Sequence, residues 1–306
     1  MKRFYYKAKG GNVGDDLNHW LWPKVFGDLL DEDSSHLLIG IGTILNHKVP
    51  VAKKYTVLSS GYGYGTKPRL QVGEWEFLAL RGPSTQSAMN AENVRCLLDG
   101  AYLMPSYYQP TISKTVSVAY IPHVDSIIIG CWQEVCDKAG IKLLDPRWPV
   151  EKFINELLSC ERVLTEAMHG AILADAYDIP WHPVKAYRYI NDFKWQDWGR
   201  SLDMDIVFSF IKPTFRGDIG FPLKRKVINS VKRICKSLGI DSPNWTPTEP
   251  WRSSERHINL VSMTLKELST NAKYVLSDAN VKSLRIEKLA IVINDFKLKH
   301  MGMRNY

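Results

Sequence analysis

The sequence predicts an α/β protein: two successive sets of alternating strands and helices, each built round a parallel sheet, meeting at a cleft, with a helical basic segment behind them. Three observations carry this. Strand-like and helix-like runs alternate with short connections through the first two thirds of the chain, the pattern of βαβ units. Hydrophobic residues make up 45% and charged residues 24% of the 306, which is globular composition and excludes a disordered or fibrous chain. Charge then sets the last third apart. Residues 211–306 hold 18 Lys/Arg against 8 Asp/Glu, leaving 22 against 24 in residues 1–210.

In order, residues 3–8 (RFYYKA) read as a strand stopped by Gly10-Gly11. Apolar spacing at Leu17, Trp20, Leu21 and Val25 predicts a helix over 17–30, with Asp15 or Asp16 as N-cap and Pro23 disturbing its latter half. Strands are predicted at 36–41, 55–59, 76–80 and 94–98. The second set begins near residue 115, with strands at 116–121, 141–144, 162–165 and 180–184. Helices at 126–139, 150–159 and 167–177 lie between them. The two sets suggest two Rossmann-like domains, 1–114 and 115–212. The remainder, 213–306, is a helical basic region. Within it 224–238 has apolar residues at 227, 228, 231, 234, 235 and 238, and basic residues at 224, 225, 226, 232, 233 and 236, which predicts a helix with one apolar stripe. A Pro-containing stretch at 242–250 separates it from helices near 253–272 and 280–299.

Several classes are excluded. No apolar run approaches the roughly 18 to 20 residues of a spanning helix. The start, MKRFYYKAKGGNVGDD, turns polar too soon for a secretory signal. The cysteines Cys96, Cys131, Cys136, Cys160 and Cys235 are scattered without CxxC spacing, which argues against a disulfide framework or zinc cluster and for a reducing cytoplasm. The basic third faces either plain solvent or something anionic: a membrane, a nucleic acid or a charged polymer. With no RNA- or DNA-binding motif and no basic stripe interleaved with aromatics, nucleic acid is not an expected partner.

Open α/β sheets bind ligands at the carboxyl ends of their strands, and unusual residues fall at several such ends. Gly10-Gly11-Asn12-Val13-Gly14-Asp15-Asp16 joins the first strand to the first helix. Its glycines permit close backbone approach. The two carboxylates repel an anion, so a sugar hydroxyl is the better ligand, although an aspartate at a helix start also serves simply as a cap. Ile39-Gly40-Ile41-Gly42-Thr43 and Ser59-Ser60-Gly61-Tyr62-Gly63-Tyr64-Gly65 repeat the theme. Neither fits the dinucleotide fingerprint. Arg81, in Arg81-Gly82-Pro83-Ser84, stands where it would hold a carboxylate or phosphate, or else a surface ion pair. His123 follows another strand. The sharpest signal is Glu166-Ala167-Met168-His169-Gly170-Ala171-Ile172, where His169 opens a helix, a position suited to acid/base work or a phosphate contact.

Together these segments, with Trp20-Leu21-Trp22-Pro23 and Phe193-Lys194-Trp195-Gln196-Asp197-Trp198, resemble the polysaccharide pyruvyl transferase family, particularly its succinoglycan-type ketal-pyruvyltransferase branch. The resemblance runs over roughly residues 1–212. It implies a GT-B-like pair of domains and phosphoenolpyruvate as donor. The product would be a pyruvate ketal on a sugar of an exopolysaccharide or capsule repeat unit. Many members carry an arginine two residues before the histidine matching His169; here that residue is Ala167, and Lys185, Arg188 and Lys194 are the nearby cations.

On this reading Arg81, His123, Ser126, Glu166, His169, Lys185 and Lys194 form the donor side. Asn12, Asp15, Asp16, Gly42, Thr43, Gly61 and Gly63 form the acceptor side. His169 acts as acid/base or phosphate contact, and Asp15 or Asp16 binds or deprotonates the acceptor diol. No metal and no cofactor beyond the co-substrate phosphoenolpyruvate is expected. The acceptor is a lipid-linked or nucleotide-linked saccharide. A glycosyltransferase of the same fold, using a nucleotide sugar, is the competing reading. Residues 224–238 are expected either to rest on an anionic membrane at the inner face of the cell or to pack their apolar stripe on the protein.

Overall fold

The computed structural model describes residues 1–240, 248 and 250–302. Its first sheet is β1 (Lys2–Phe4), β2 (His36–Ile39), β3 (Lys54–Ser60) and β4 (Glu74–Leu80), parallel and in the spatial order β1-β2-β3-β4. Between β1 and β2 runs α1 (Val13–Phe26). Its N-cap is Asn12, not Asp15 or Asp16. The Asn12 side chain accepts from the Gly14 amide at 3.2 Å, and Asp16 reaches back to accept from the Asn12 amide at 3.2 Å. The helix therefore starts four residues before the predicted 17. Pro23 does not break it: the carbonyl its ring deprives of an amide partner belongs to His19, an exposed residue of the helix. Leu17, Leu21, Trp22 and Val25 form the buried face.

The predicted strand at 94–98 does not form. A single bridge joins Leu80 to Cys96, after which the chain turns into an Asp99-capped 3-10 turn at Gly100–Leu103. Two short helices, α2 (Pro83–Ala88) and α3 (Met104–Tyr107), complete this part.

The second sheet is also parallel: β5 (Val116–Ile121), β6 (Lys142–Leu143), β7 (Cys160–Thr165), β8 (Trp181–Lys185) and the unforeseen β9 (Ser209–Phe210), in the order β6-β5-β7-β8-β9. The predicted helix at 126–139 is two, α4 (Val124–Ile129) and α5 (Trp132–Ala139). The break falls at Gly130, where the Trp132 indole and the Tyr187 hydroxyl occupy the space a Cβ would need. α6 (Val150–Leu158), α7 (Met168–Ala176) and α8 (Asp192–Arg200) follow. A cluster of Trp181, Trp195 and Trp198 packs α8 beside the sheet.

The last third is α9 (Leu223–Ser237), α10 (Glu255–Asn271) and α11 (Ala279–Gly302). Buried Ile258, Val261 and Leu265 of α10 share a core with Val135 and Ala139 of α5. α11 returns to the first sheet, where Phe296 meets Phe26 edge-on at 5.9 Å and Arg285 donates to the Cys96 carbonyl at 3.1 Å. At the end of α7, buried Asp175 accepts from Tyr102, Trp181 and the Ser277 amide at 2.8, 3.1 and 2.8 Å, fastening both sheets to the last third. Part of the stretch at 242–250 lies outside the described residues. Among those described, no helix is long and apolar enough to cross a membrane.

Candidate active site

In the second sheet the strand order reverses at β5, since β6 lies on one side of it and β7 on the other. Such a reversal leaves a crevice at the carboxyl ends of the two diverging strands. His123 and Val124, just past β5, and Ala167, Met168 and His169, just past β7, line a pocket of about 210 Å³ there. Its opposite wall comes from Tyr6 and Asn12 after β1, Val13 and Asp15 in the first turn of α1, Thr43 and Ile44 after β2, and Tyr64 after β3. Lys194 of α8 and Pro146 complete the lining.

His169 sits in the first turn of α7. Its ring lies so close to Gly14 of α1 that a Cβ there would fall 2.1 Å from Nδ1, so only glycine fits. On the other side Nε2 faces the Asp99 carboxylate, with Oδ2 at 3.7 Å. Both atoms are buried and neither has a hydrogen-bond partner, while the other Asp99 oxygen accepts from the Ala101 amide at 3.0 Å. The imidazole is thus wedged by a glycine and backed by a wholly buried carboxylate.

Burial pushes the Asp15 carboxyl up to about 6, against the pull of His169 and of the Asn12 amide, which donates to it at 2.8 Å. Burial pulls the Lys194 ammonium down to about 8, and Arg81 acts in the same direction while Asp15 and Asp125 oppose it. Lys194 donates to the Tyr64 hydroxyl at 2.6 Å. His123 is held neutral, its ring lowered to about 3 by burial and by Lys194. The pocket therefore combines a cation poised just above neutrality, a carboxylate poised just below it, and a helix start. The residue before α7 is Ala167, which has no side chain to cap the first amides.

The other expected site residues lie elsewhere. Arg81 is wholly buried and does not line the pocket. Its guanidinium meets Asp197 at 3.1 and 3.2 Å and donates to Thr43 at 2.8 Å and to the Tyr62 carbonyl at 3.2 Å. It braces the wall of the pocket. Gly61 is glycine because Arg81 Cζ would lie 2.1 Å from a Cβ, and Gly63 packs against Thr43 and Lys194. Gly42, at φ +105°, turns the chain beside Asp15 and His169. None of these three glycines lines the pocket.

Buried Glu166 accepts from the His123 amide at 3.1 Å, from the Ala186 amide at 3.0 Å and from the Ser126 hydroxyl, so Ser126 and Glu166 tie two loops together behind the pocket. Lys185 pairs with Asp192, Arg188 is exposed outside the pocket, and Asp16 serves the α1 cap. Sequence reasoning missed Tyr6, Tyr64, Asp99 and Asp197. Two of them had a signal: Tyr64 stands in the glycine-rich loop after β3, and Asp197 in the 193–198 segment that carries the resemblance.

Residues 52–185 match the polysaccharide pyruvyl transferase family. The chain is also similar to the succinoglycan biosynthesis protein ExoV of Rhizobium meliloti (strain 1021), with 36% identity over 205 residues. That match covers 66% of this chain and 65% of the relative's length. No solved structure matches the chain.

Proposed function

We propose that the protein, whose residues 52–185 match the polysaccharide pyruvyl transferase family, transfers pyruvate from phosphoenolpyruvate to a sugar diol, as a ketal, in exopolysaccharide biosynthesis. The observation that carries the proposal is the convergence of Lys194, the uncapped start of α7, His169 and Asp15 on one pocket. Phosphoenolpyruvate is an anion at both ends. Lys194 and the first amides of α7 are the groups here that attract it. Lys194 thus takes the part that the resemblance gives to the arginine absent at Ala167.

Asp15, ionised above about 6, accepts the proton of the first acceptor hydroxyl as its oxygen attacks C2, and His169 donates a proton to C3. The Asp99 carboxylate, 3.7 Å from Nε2, backs the imidazole during that transfer. The second hydroxyl then attacks C2 and phosphate leaves, closing the ketal. One proton from the diol ends on C3 and the other departs with phosphate, so no oxidant, reductant or further co-reactant is required.

In the same reading the sheets are two Rossmann-like units in a GT-B-like arrangement, 1–114 on the acceptor side and 115–212 on the donor side. The acceptor is a lipid-linked or nucleotide-linked saccharide at the cytoplasmic face of the membrane. The test supplies phosphoenolpyruvate with candidate acceptors and follows phosphate release and acceptor mass. Acceptor-dependent phosphate release, with the acceptor heavier by one pyruvate ketal, supports the proposal. Turnover of a nucleotide sugar with phosphoenolpyruvate untouched would replace it with glycosyl transfer.

A further inference from the structure

We propose that α9 rests its outer face on an anionic lipid surface. An amphipathic helix on a globular protein ordinarily turns its apolar stripe inward. α9 does the reverse. The side chains it buries are Asn229 and Arg233, and both reach Asp218, the amide at 2.7 Å and the guanidinium at 3.0 Å. Leu223, Val227, Val231, Ile234 and Leu238 recur every three or four residues on the opposite face and are between 53% and 77% exposed. The stripe is therefore not consumed by packing on the protein, although its residues are of the kind that form cores. Trp251, 58% exposed and 4.5 Å from the Arg233 guanidinium, extends the apolar surface with the side chain favoured where water meets lipid.

Charge selects the occupant. Residues 223–240 contain no Asp/Glu, and of their six Lys/Arg only Arg233 is turned inward to Asp218, while Lys224, Arg225 and Lys226 occupy the first turn. In a two-fold contact between copies the same cationic surface would meet itself, which opposes self-association. A bilayer with anionic headgroups instead accepts the cations while its acyl boundary accepts the stripe. The helix would lie in the plane of the interface over its roughly 22 Å length. This inference stands on α9 alone and does not require the pyruvyl-transfer reading.

The test is co-sedimentation of the full chain with vesicles of phosphatidylcholine, and of phosphatidylcholine mixed with phosphatidylglycerol, at low and high salt. The chain should pellet with the anionic vesicles only, and its affinity should fall at least about tenfold at high salt. Val231→Asp with Ile234→Asp should abolish binding. Lys224→Gln with Arg225→Gln and Lys226→Gln should weaken it about tenfold at low salt and flatten the salt response. Circular dichroism and thermal melting should match the parent protein for both variants. Equal binding to both vesicles, no binding, or indifference to the stripe substitutions would overturn the proposal. So would self-association abolished by those substitutions, which would assign the face to a second copy. No pyruvyl donor enters the assay, so its outcome and that of the phosphate-release test are independent.

Discussion

Replacing Asp15 by asparagine should stabilise the fold while disabling the pocket. Burial lifts the Asp15 carboxyl from 3.8 to about 6. That is about 2 pH units, or about 3 kcal/mol at 1.36 kcal/mol per unit. Water entering the pocket screens part of this, leaving about 2 kcal/mol as the expected effect. Because the folded value lies above the unfolded one, the folded protein keeps a proton between pH 4 and 6 that the unfolded chain has released. The parent protein therefore loses stability as pH rises through that window and does not regain it above. Asparagine has no charge to bury, and its side-chain oxygen still accepts from Asn12. Urea unfolding of Asp15→Asn should thus show a gain of about 2 kcal/mol at pH 7.5 that shrinks to nearly nothing at pH 4. Phosphate release should fall at least about a hundredfold. A gain independent of pH, or no gain, would refute the electrostatic reasoning. Normal turnover would remove Asp15 from the chemistry.

The remaining expectations concern the rest of the pocket and its supports. His169→Ala should stay folded and lose at least about a hundredfold in turnover, and a near-normal rate would dismiss it as the acid. kcat/KM should rise through about pH 6 as Asp15 ionises and fall above about pH 8 as Lys194 loses its proton. Lys194→Met should raise the KM for phosphoenolpyruvate by about tenfold to a hundredfold and erase the alkaline limb; a limb that survives assigns it to another group. Asp99→Asn should lower kcat by about tenfold or more with little change in that KM, whereas a matching loss in both would point to general disorder of the pocket. Arg81→Ala should cost about 3 to 5 kcal/mol in urea unfolding by stranding buried Asp197, and a loss confined to donor affinity with full stability would return Arg81 to the ligand side.

Much of the frame was legible because strand and helix periods are local properties. The run at 116–121 became β5, and the helices at 150–159 and 167–177 fell within a residue of α6 and α7 at each end. The errors came where a distant partner decides. The stretch at 94–98 has strand composition, yet the turn capped by Asp99 stops it after one bridge. Likewise β9 pairs for only two residues and owes its existence to β8.

In the site, His169 and Asp15 were readable as reactive side chains at helix starts that follow strands, and Lys194 as a cation in the 193–198 segment that carries the resemblance. The roles of Asp99 and Asp197 were not, since each acts across a long separation in sequence, on His169 and Arg81. The glycines were noticed for the right property and the wrong neighbour. Gly14 and Gly61 make room for the protein's own imidazole and guanidinium, not for a ligand's approach.

The return of α11 to the first sheet has a consequence for biosynthesis. Phe26 lies on an early helix, and its partner Phe296 is delivered long after both sheets have left the ribosome. Until then one flank of the first sheet has apolar surface without its cover, open to holdase chaperones and to aggregation. The segment leading into α11 also places Ser277 on the Asp175 carboxylate and pairs Val275 with Trp181. The stitch that finishes the first sheet thereby finishes the second. A nascent chain stalled before α11 should be protease-sensitive in both halves, with resistance appearing in both together once that helix is released.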